Sequence, residues 1–435
     1  MTKNLQLSDP FWTSGLVNRV EEFWGRDAEL GGLEANIKRS GIAITGPVGI
    51  GKSSLLSMMR LMLEGFNTDL NSVCTLAMCG SEDEPWHLAR KLFRHFRRVT
   101  IKKVQERGID LKGLVWKETT AENDLNEDDY ITAVYEILTD LSSRNQFDYI
   151  VVLFDESHKC PIALAELIRS LKEQLEHEGI AEVRFMTAGI GAYVDKMVKH
   201  DSGIGRAFQN HFKLTPWEEE IAKDFVRNKL QQVVSESEEH GLEIEVRGTH
   251  DDDLETVFYR LSGGHPFLTQ LLGSYLIRHE NSDPDDVLDS KDLVGAMQEI
   301  CGRTRSPEYS EMIATLESSG MKDSYKRLTT SLTQKAPSQI SRSDFDLAVG
   351  EDGRTWFLEN GFVFESGGVF QLTDELLRVS VMLQEDAASA SQEEQDIWKT
   401  TRTMKTTSLT ISTSKLGAVR EGWERNEQRR TRSHH

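Results

Sequence analysis

The chain has 435 residues, enough for about two to four domains of ordinary size. Hydrophobic residues make up 38% of it and charged residues 28%, which is typical of a globular protein and excludes wholesale disorder. The formal net charge is -20, from 51 Lys and Arg against 71 Asp and Glu, so binding to nucleic acid would require a local basic patch.

The sequence does not have the features of a membrane or secreted protein. No window approaches the roughly 18 apolar residues of a membrane span, and the polar N-terminus lacks the pattern of a signal peptide. The four cysteines, Cys74, Cys79, Cys160 and Cys301, form no CxxC pair and indicate neither a zinc site nor a disulfide framework. We therefore expect a protein of the reducing cytoplasm that makes no membrane contact.

The first half of the chain alternates between helices and short apolar strands. An amphipathic helix is predicted after Gly25, from the helical spacing of its apolar residues. The predicted strands are Gly41–Thr45, Ser72–Met78, Tyr149–Phe154, Val183–Thr187 and Phe208–Leu214. Strands separated by helices predict a parallel sheet that is covered on both faces.

Beyond Trp217 the pattern becomes helical, and a further helix is predicted to start at Gly263-Gly264-His265-Pro266. Short helices and a β-hairpin around Ser366-Gly367-Gly368 then suggest a winged helix. The last part of the chain is rich in Ser, Thr, Gln and charged residues, a composition that predicts disorder.

A phosphate-binding loop is predicted from Gly46 to Ser53, which fits the pattern GxxxxGK[ST] between a strand and a helix. Glycines let backbone N–H groups face a phosphate at the N-terminus of the helix. Lys52 would then bridge two phosphates, and the Ser53 hydroxyl would hold Mg²⁺. The predicted nucleotide contacts are Gly46, Gly49, Gly51, Lys52, Ser53 and Ser54.

An acidic pair, Asp155 and Glu156, follows the apolar strand Tyr149–Phe154. The strand would place Asp155 beside the phosphate loop, where its carboxylate can orient the water shell of Mg²⁺. Glu156 is the candidate base for an attacking water. ATP hydrolysis is therefore expected, although two acids at a strand end can also be plain surface residues.

These motifs, with Gly25-Arg26-Asp27-Ala28-Glu29-Leu30 before the phosphate loop, resemble AAA+ and STAND-type P-loop ATPases. The likeness is to the replication-initiator (origin-recognition-like) and transposition-regulator side of the superfamily, and it covers about residues 20–385. It implies an α/β fold with a parallel-sheet AAA+ core, a helical lid and a C-terminal winged helix. It also implies ATP and Mg²⁺ as cofactors.

The resemblance suggests a division of the chain into five parts. These are an N-terminal arm (1–24), the AAA+ nucleotide-binding core (25–217), a helical lid (218–304), a winged-helix-like domain (305–385) and a polar basic tail (386–435).

Further roles follow from the resemblance. Phe23 and Trp24 match the segment that lies against adenine, Thr187 matches the polar sensor of the γ-phosphate, and Arg206 matches the arginine finger that reaches a neighbouring subunit's nucleotide. Each has an alternative: packing for the aromatic pair, a strand-end hydroxyl for Thr187, and a solvated or salt-bridged side chain for Arg206. A finger acting between subunits would make hydrolysis depend on assembly into a ring or filament.

The chain departs from the AAA+ pattern where the helix after the lid turn commonly carries an arginine. Gly264-His265-Pro266 stands there, closer to the Gly-x-Pro of STAND switches. Pro266 suits the first turn of a helix. His265 is a candidate nucleotide contact, and a helix-capping or packing role is the alternative.

A basic stretch between His87 and Arg107 contains Glu106 as its sole acid. Apolar residues fall on one face of the predicted helix, and the cationic side chains lie largely on the other. The candidates for binding DNA phosphates are Arg90, Arg94, Arg97, Arg98, Lys102 and Lys103. A solvated helix paired with nearby acids is the alternative.

The residues and the resemblance together leave two functions open. The first is an ATPase that oligomerises in its ATP state and acts on double-stranded DNA, as a replication initiator or transposition regulator. The second is a STAND-like signalling or defence switch that a protein or ligand trigger opens without DNA. In either case the winged helix or the tail offers a surface for a protein partner.

Overall fold

The structure is a computed structural model. It describes residues 6–11, 17, 19–64, 72–107, 126–143, 147–248, 252–282, 284–301, 307–332, 338–374, 376–378 and 381, with the backbone alone for 97–107, 128, 290, 294, 298, 307–311 and 366. Two compact units are formed, one from Leu16–Leu214 and one from Met1–Gly15 together with Thr215–His435. The predicted arm 1–24 is thus divided between them, and the predicted tail 386–435 lies outside the described residues. The five-part domain division stays a prediction.

The unit Leu16–Leu214 alternates between helices and strands. Its helices are α1 (Asp27–Ile37), α2 (Lys52–Leu63), α3 (Pro85–Arg107), α4 (Glu127–Ser143), α5 (Pro161–His177), α6 (Tyr193–His200) and α7 (Ile204–Ala207). Its strands are β1 (Gly41–Thr45), β2 (Ser72–Met78), β3 (Tyr149–Asp155), β4 (Val183–Gly189) and β5 (Phe208–Lys213).

The strands form a parallel sheet in the order β2-β3-β4-β1-β5, as the alternating pattern predicted. Neighbouring strands end together, with Met78 opposite Asp155 and Thr45 opposite Gly189. The loops that follow β1 and β3 therefore leave the same edge of the sheet. The prediction that the fourth strand ends at Thr187 was wrong, since β4 continues to Gly189.

Helices cover both faces of this sheet because successive residues of a buried strand point to opposite sides. On β3, Phe154 packs into the core beneath α3, α4 and α5, whereas Leu153 packs into the core beneath α1 and α2. The predicted apolar face of α3 is confirmed. Leu88, Leu92, Phe93 and Phe96 are all buried.

The other unit is largely helical. Its helices are α8 (Glu219–Glu239), α9 (Leu254–Ser262), α10 (Pro266–Ser282), α11 (Ser290–Cys301), α12 (Pro307–Ser318), α13 (Lys322–Ser331) and α14 (Arg342–Glu359). Its strands are β6 (Glu245–Val246), β7 (Val287–Leu288), β8 (Gln339–Ile340), β9 (Val363–Ser366) and β10 (Val369–Leu372).

The predicted β-hairpin is confirmed, since β9 and β10 pair antiparallel on either side of Gly367 and Gly368. Both glycines have positive φ, 59° and 82°, as a two-residue turn of this type requires. Strand β8 joins the same sheet, next to β10. The assignment of this region as a winged helix stays a prediction. Within the described part of the chain, we find no helix that combines the length and apolar character of a membrane span.

Phe11 ties the N-terminal segment to the helices that follow residue 215. Its side chain is 4% exposed, and its ring lies 6.3 Å from Phe225 of α8 and 6.4 Å from Phe258 of α9. The ring also lies against α10, where a Cβ added to Gly273 would meet it at 2.3 Å. An aromatic ring packed against three helices contributes strongly to their cohesion.

We expect Phe11→Ala to lower the free energy of unfolding of this unit by about 3–5 kcal/mol, because the substitution leaves a cavity among packed aromatic rings. Urea denaturation of the full chain measures the loss. The control is Leu347→Ala, which truncates a side chain that is 87% exposed in α14 and should change the value by less than about 0.5 kcal/mol. Equal stability of the two variants would contradict the packing role of Phe11.

Candidate nucleotide site

The loop between β1 and α2 has the backbone shape of an anion cradle. Gly49 and Gly51 adopt positive φ values of 72° and 99°, which a residue with a side chain would adopt only with strain. Gly46 is tightly enclosed, because an added Cβ would lie 3.0 Å from the carbonyl oxygen of Leu214. The loop ends at the N-terminus of α2, where free N–H groups and the helix dipole favour a phosphate.

Lys52, the first residue of α2, is 6% exposed and points back into this loop. Its ammonium group donates hydrogen bonds to the carbonyl oxygens of Gly46 at 2.9 Å and Pro47 at 2.5 Å. Burial lowers its pKa to about 8, while the negative charges of Glu156 and Asp155 oppose that shift. A positive charge is thus held inside the loop by backbone oxygens and two nearby carboxylates.

Asp155 ends β3 and is 1% exposed. Burial raises the pKa of its carboxyl group, and a hydrogen bond from the Ser53 hydroxyl opposes the rise. The carboxylate also accepts a hydrogen bond from the backbone N–H of Glu156 at 2.8 Å. A hydroxyl and a carboxylate in direct contact are oxygen ligands of the kind that suit Mg²⁺, with the remaining positions taken by water or phosphate.

Glu156 occupies the left-handed backbone region, with φ 56° and ψ 31°. Non-glycine residues in this conformation are uncommon and are concentrated at functional sites. Its carboxylate lies 3.1 Å from the ammonium group of Lys159 and is half-buried, in contrast to that of Asp155. The two adjacent carboxylates therefore lie in different surroundings. That of Asp155 is buried against Ser53, and that of Glu156 is accessible to water.

Arg26 belongs to the segment Gly25–Leu30 before the phosphate loop, where the sequence alone assigned it no contact. Its side chain is buried, and its guanidinium donates to the carbonyl oxygen of Ile50 at 3.3 Å and to Glu29 at 2.6 Å. This contact links the Gly-Arg-Asp segment to the phosphate loop. The signal in the sequence was an arginine at the start of a helix with an acid three residues later, which is too common to identify the role.

Phe23 packs against the apolar cluster that includes Ile50, which agrees with the packing alternative for this residue. Trp24 is half-buried beside it. Ser54, in the first turn of α2, accepts a hydrogen bond from the backbone N–H of Val17 at 3.3 Å. The segment before α1 thus contacts the helix that follows the phosphate loop.

The structure does not place Thr187 at a strand end. Its side chain is fully buried within β4, and its hydroxyl forms a hydrogen bond of 2.9 Å with the hydroxyl of Tyr193. Tyr193 in turn donates to the carbonyl oxygen of Ile44 in β1 at 3.2 Å. The hydroxyl of Thr187 is thereby used to join β4 to β1 through Tyr193, which favours a structural role over that of a phosphate sensor.

Arg206 lies on the short helix α7 immediately before β5, and its side chain is exposed. Among the described residues we find no acidic side chain in an ion pair with its guanidinium. The salt-bridged alternative for this residue therefore has no support within the described part of the chain.

His265 and Pro266 lie in the other unit, at the start of α10. His265 is 3% exposed, and its Nδ1 accepts a hydrogen bond from the backbone N–H of Leu268 at 3.5 Å. Pro266 is the first residue of the helix. This geometry favours the capping alternative for His265.

The basic helix is only partly described. The guanidinium of Arg90 lies 5.7 Å from the ring centre of Tyr130 in α4, so this arginine packs between two helices. Arg94 is exposed. The side chains of Arg97, Arg98, Lys102 and Lys103 lie outside the described residues. Of the six candidates for binding DNA phosphates, Arg94 is therefore the one whose side chain is described and exposed.

Comparison with other proteins identifies the fold. No protein-family model and no curated protein matches this sequence. The structure is similar to that of the Walker-type ATPase of Pyrococcus abyssi, with 14% identity, a TM-score of 0.57 and coverage of 84% of this chain and 98% of that chain. At this identity the likeness concerns the fold alone.

Two further structures match with lower scores. The Aeropyrum pernix ORC2 protein has 13% identity and a TM-score of 0.45, with coverage of 88% of this chain and 98% of that chain. The Cdc6p protein of Pyrobaculum aerophilum has 13% identity and a TM-score of 0.44, with coverage of 87% and 98%. The strand order and the match to the Pyrococcus abyssi protein confirm the parallel-sheet core of the predicted AAA+ P-loop fold.

The lowered pKa of Lys52 gives a test of its burial. Because this pKa is about 8 in the folded chain and 10.5 when unperturbed, the unfolded chain binds more protons between these two pH values. The contribution of Lys52 to the free energy of unfolding therefore rises with pH in that interval. We expect the wild type to gain about 2 kcal/mol or more relative to Lys52→Met between pH 7 and pH 10, as measured by urea denaturation. Parallel pH profiles would contradict the desolvated state of Lys52.

Proposed function

We propose that this protein, which has the fold of the AAA+ P-loop ATPases, binds ATP with Mg²⁺ and hydrolyses the γ-phosphate. One observation carries the proposal: the buried ammonium of Lys52 lies within the electrostatic reach of Asp155 and Glu156 at the common edge of the sheet. A cation inside a loop of glycines, next to one buried and one accessible carboxylate, is an arrangement suited to phosphoryl transfer to water.

Each group in the loop has a part in binding. The backbone N–H groups around Gly49 and Gly51 would face the β-phosphate, and Lys52 would exchange its bonds to two carbonyl oxygens for bonds to phosphate oxygens. Ser53 and Asp155 would hold Mg²⁺, which neutralises charge on the phosphates. Phe23 and Trp24 precede the loop on the segment proposed to lie against adenine.

Glu156 would act on the water. Its carboxylate is accessible, and it follows the buried Asp155 directly, so the two oxygen donors share one turn but differ in exposure. This partly exposed carboxylate would be available to accept a proton from an attacking water. The ion pair with Lys159 holds the side chain in place.

Arg206 supports the proposal that hydrolysis is stimulated by assembly. Its side chain is exposed on α7, next to the edge strand β5. An exposed arginine there can reach the nucleotide of a neighbouring subunit, where its charge would stabilise the transition state. The protein would then form a homo-oligomer, ring or filament, in its ATP state.

For the activity coupled to hydrolysis, we propose a DNA-associated role of the replication-initiator or transposition-regulator type. The support is the basic character of α3 in a chain whose net charge is -20, and the exposure of Arg94 on that helix. Phosphate contacts by such side chains release counterions and favour binding to double-stranded DNA.

The second candidate, a STAND-like switch, is favoured by a specific observation. His265 and Pro266 are both buried at the start of α10, where AAA+ proteins commonly have an arginine, and His265 caps the helix. A helix held by capping and packing suits a regulatory element that responds to a protein or ligand trigger. This candidate requires nucleotide binding but no DNA.

We expect Glu156→Gln to bind ATP and to lose turnover by about 10²- to 10⁴-fold, because the amide cannot accept the proton of the attacking water. Phosphate release measures turnover, and light scattering with ATP measures whether the variant accumulates as an assembly. Lys52→Ala is the matched control, and it should fail to bind nucleotide altogether. Normal turnover by both variants would refute the assignment of the site.

The DNA role is tested by fluorescence anisotropy of labelled duplex DNA at physiological salt, with ATP and Mg²⁺, with ADP, and with Lys52→Ala. We expect ATP-dependent binding, and Arg94→Ala should reduce the slope of log affinity against log salt by about 1. Arg169→Ala is the control, since Arg169 is an exposed arginine paired with Glu173 and Asp201. No binding in any nucleotide state would favour the switch.

A further inference from the structure

A groove of about 570 Å³ is lined by α8, β6 and the start of α9. The apolar part of its lining consists of Leu230 and Val234 of α8, Val246 of β6 and Leu254 of α9. Leu230 and Leu254 are buried, whereas Val246 is 37% exposed. The groove therefore offers apolar surface to a side chain that enters from outside.

The polar part of the lining is acidic. It contains Glu238, Asp253 and Glu255 against one cation, Arg227. The guanidinium of Arg227 is already paired with Glu255 at 3.2 Å, whereas Glu238 is exposed. The surrounding segment, residues 236–255, has nine acids and one arginine. A positively charged segment that carries an apolar side chain would suit both parts of this groove.

The same chain contains a segment with this chemistry. Residues 399–432, here called the basic segment, include nine Lys and Arg against three Glu. Residues 382–396 before it have five acids and no Lys or Arg, so they do not match the groove. Within the basic segment, Trp423 stands between Arg420 and Arg425. Trp and Arg are the side chains that most often dominate the binding energy of an interface.

The connection between the two is long enough for contact within one chain. The groove and the basic segment belong to the same compact unit, Met1–Gly15 with Thr215–His435. Residues 382–422 separate the last described residue from Trp423. A chain of this length without fixed structure spans about 35 Å on average, and a small domain is about 30 Å across. Such a tether gives a local concentration in the millimolar range, which favours binding even when the affinity is weak.

We propose that the basic segment binds in this groove of its own chain. The indole of Trp423 lies on the apolar surface of Val234 and Val246, and the neighbouring arginines pair with Glu238 and Asp253. Since these charges lie at the surface, the interaction weakens as the salt concentration rises. It requires neither binding nor hydrolysis of ATP, so it stands apart from the proposed function.

Hydrogen exchange of the full chain at low salt tests the contact. Trp423→Ala should make the backbone amides of residues 230–238 exchange several-fold faster than in the wild type, because the groove loses its occupant. Trp398→Ala is the matched control, since it removes a tryptophan that directly precedes the basic segment, and it should leave the exchange unchanged. Equal exchange in the wild type and Trp423→Ala would overturn the proposal.

Cross-linking with a carbodiimide tests which chain supplies the segment. In the wild type, Lys415 should become joined to Glu238, Asp253 or Glu255, and a mixture of ¹⁵N-labelled and unlabelled protein should give such links within single chains. Links between labelled and unlabelled chains would overturn binding within one chain.

Charge reversal tests the acidic side of the groove. Glu238→Arg should remove most of the cross-linked product and raise the exchange of α8. Glu220→Arg is the control, because it changes the net charge equally at an exposed position of α8 that does not line the groove. Equal loss of the product in both variants would contradict a specific contact.

Competition gives a further test. A fluorescein-labelled peptide of residues 411–432 should bind the full-length Trp423→Ala variant at least about tenfold more tightly than the wild type, whose own segment occupies the groove. Equal affinity for the two proteins would overturn the proposal. So would a Trp423→Ala variant that loses affinity for duplex DNA while the exchange of α8 is unchanged, because the segment would then bind nucleic acid instead.

Discussion

The burial of the Lys52 ammonium is the constraint on which the candidate site depends. A charge in this position is costly unless it is surrounded by oxygen atoms, and the loop supplies them from its own carbonyl groups at Gly46 and Pro47. The glycine conformations that permit this curl, at Gly49 and Gly51, also expose backbone N–H groups. The same geometry that stabilises the cation thus prepares the loop for an anion.

The parallel sheet brings the opposite charges to this cation. Strands β1 and β3 are separated by β4 in the sheet, yet all three end at one edge, so the loops after Thr45 and Asp155 face one another. Helices on both faces hold the edge in place by packing apolar residues from alternate positions of β3. A difference in burial then gives two adjacent acids different chemistry, since Asp155 is desolvated against Ser53 and Glu156 is open to water.

The surroundings of this edge connect it to other parts of the fold. Arg26 joins the helix before β1 to the phosphate loop, and Tyr193 joins β4 to β1. The backbone N–H of Cys79, directly after β2, donates to the carbonyl oxygen of Asp155 at 2.9 Å. These contacts tie the phosphate loop and the ends of the strands to the elements around them.

The sequence by itself determined the parallel α/β core, most of its strand bounds and the location of the phosphate loop. These features depend on local patterns: apolar runs of strand length, glycines before a lysine, and acids directly after a buried strand. Local patterns also sufficed for the hairpin at Gly367, because a two-residue glycine turn is specified by neighbouring residues.

The tertiary structure alone decided which partners the functional side chains meet. The hydroxyl of Thr187 bonds to Tyr193, and the guanidinium of Arg26 bonds to Ile50. No local pattern encodes such contacts, because they depend on strand order and on how far each strand extends. Strand β4 continues two residues past Thr187 alongside β1, so the hydroxyl of Thr187 lies on a covered face of the sheet and not at a strand end.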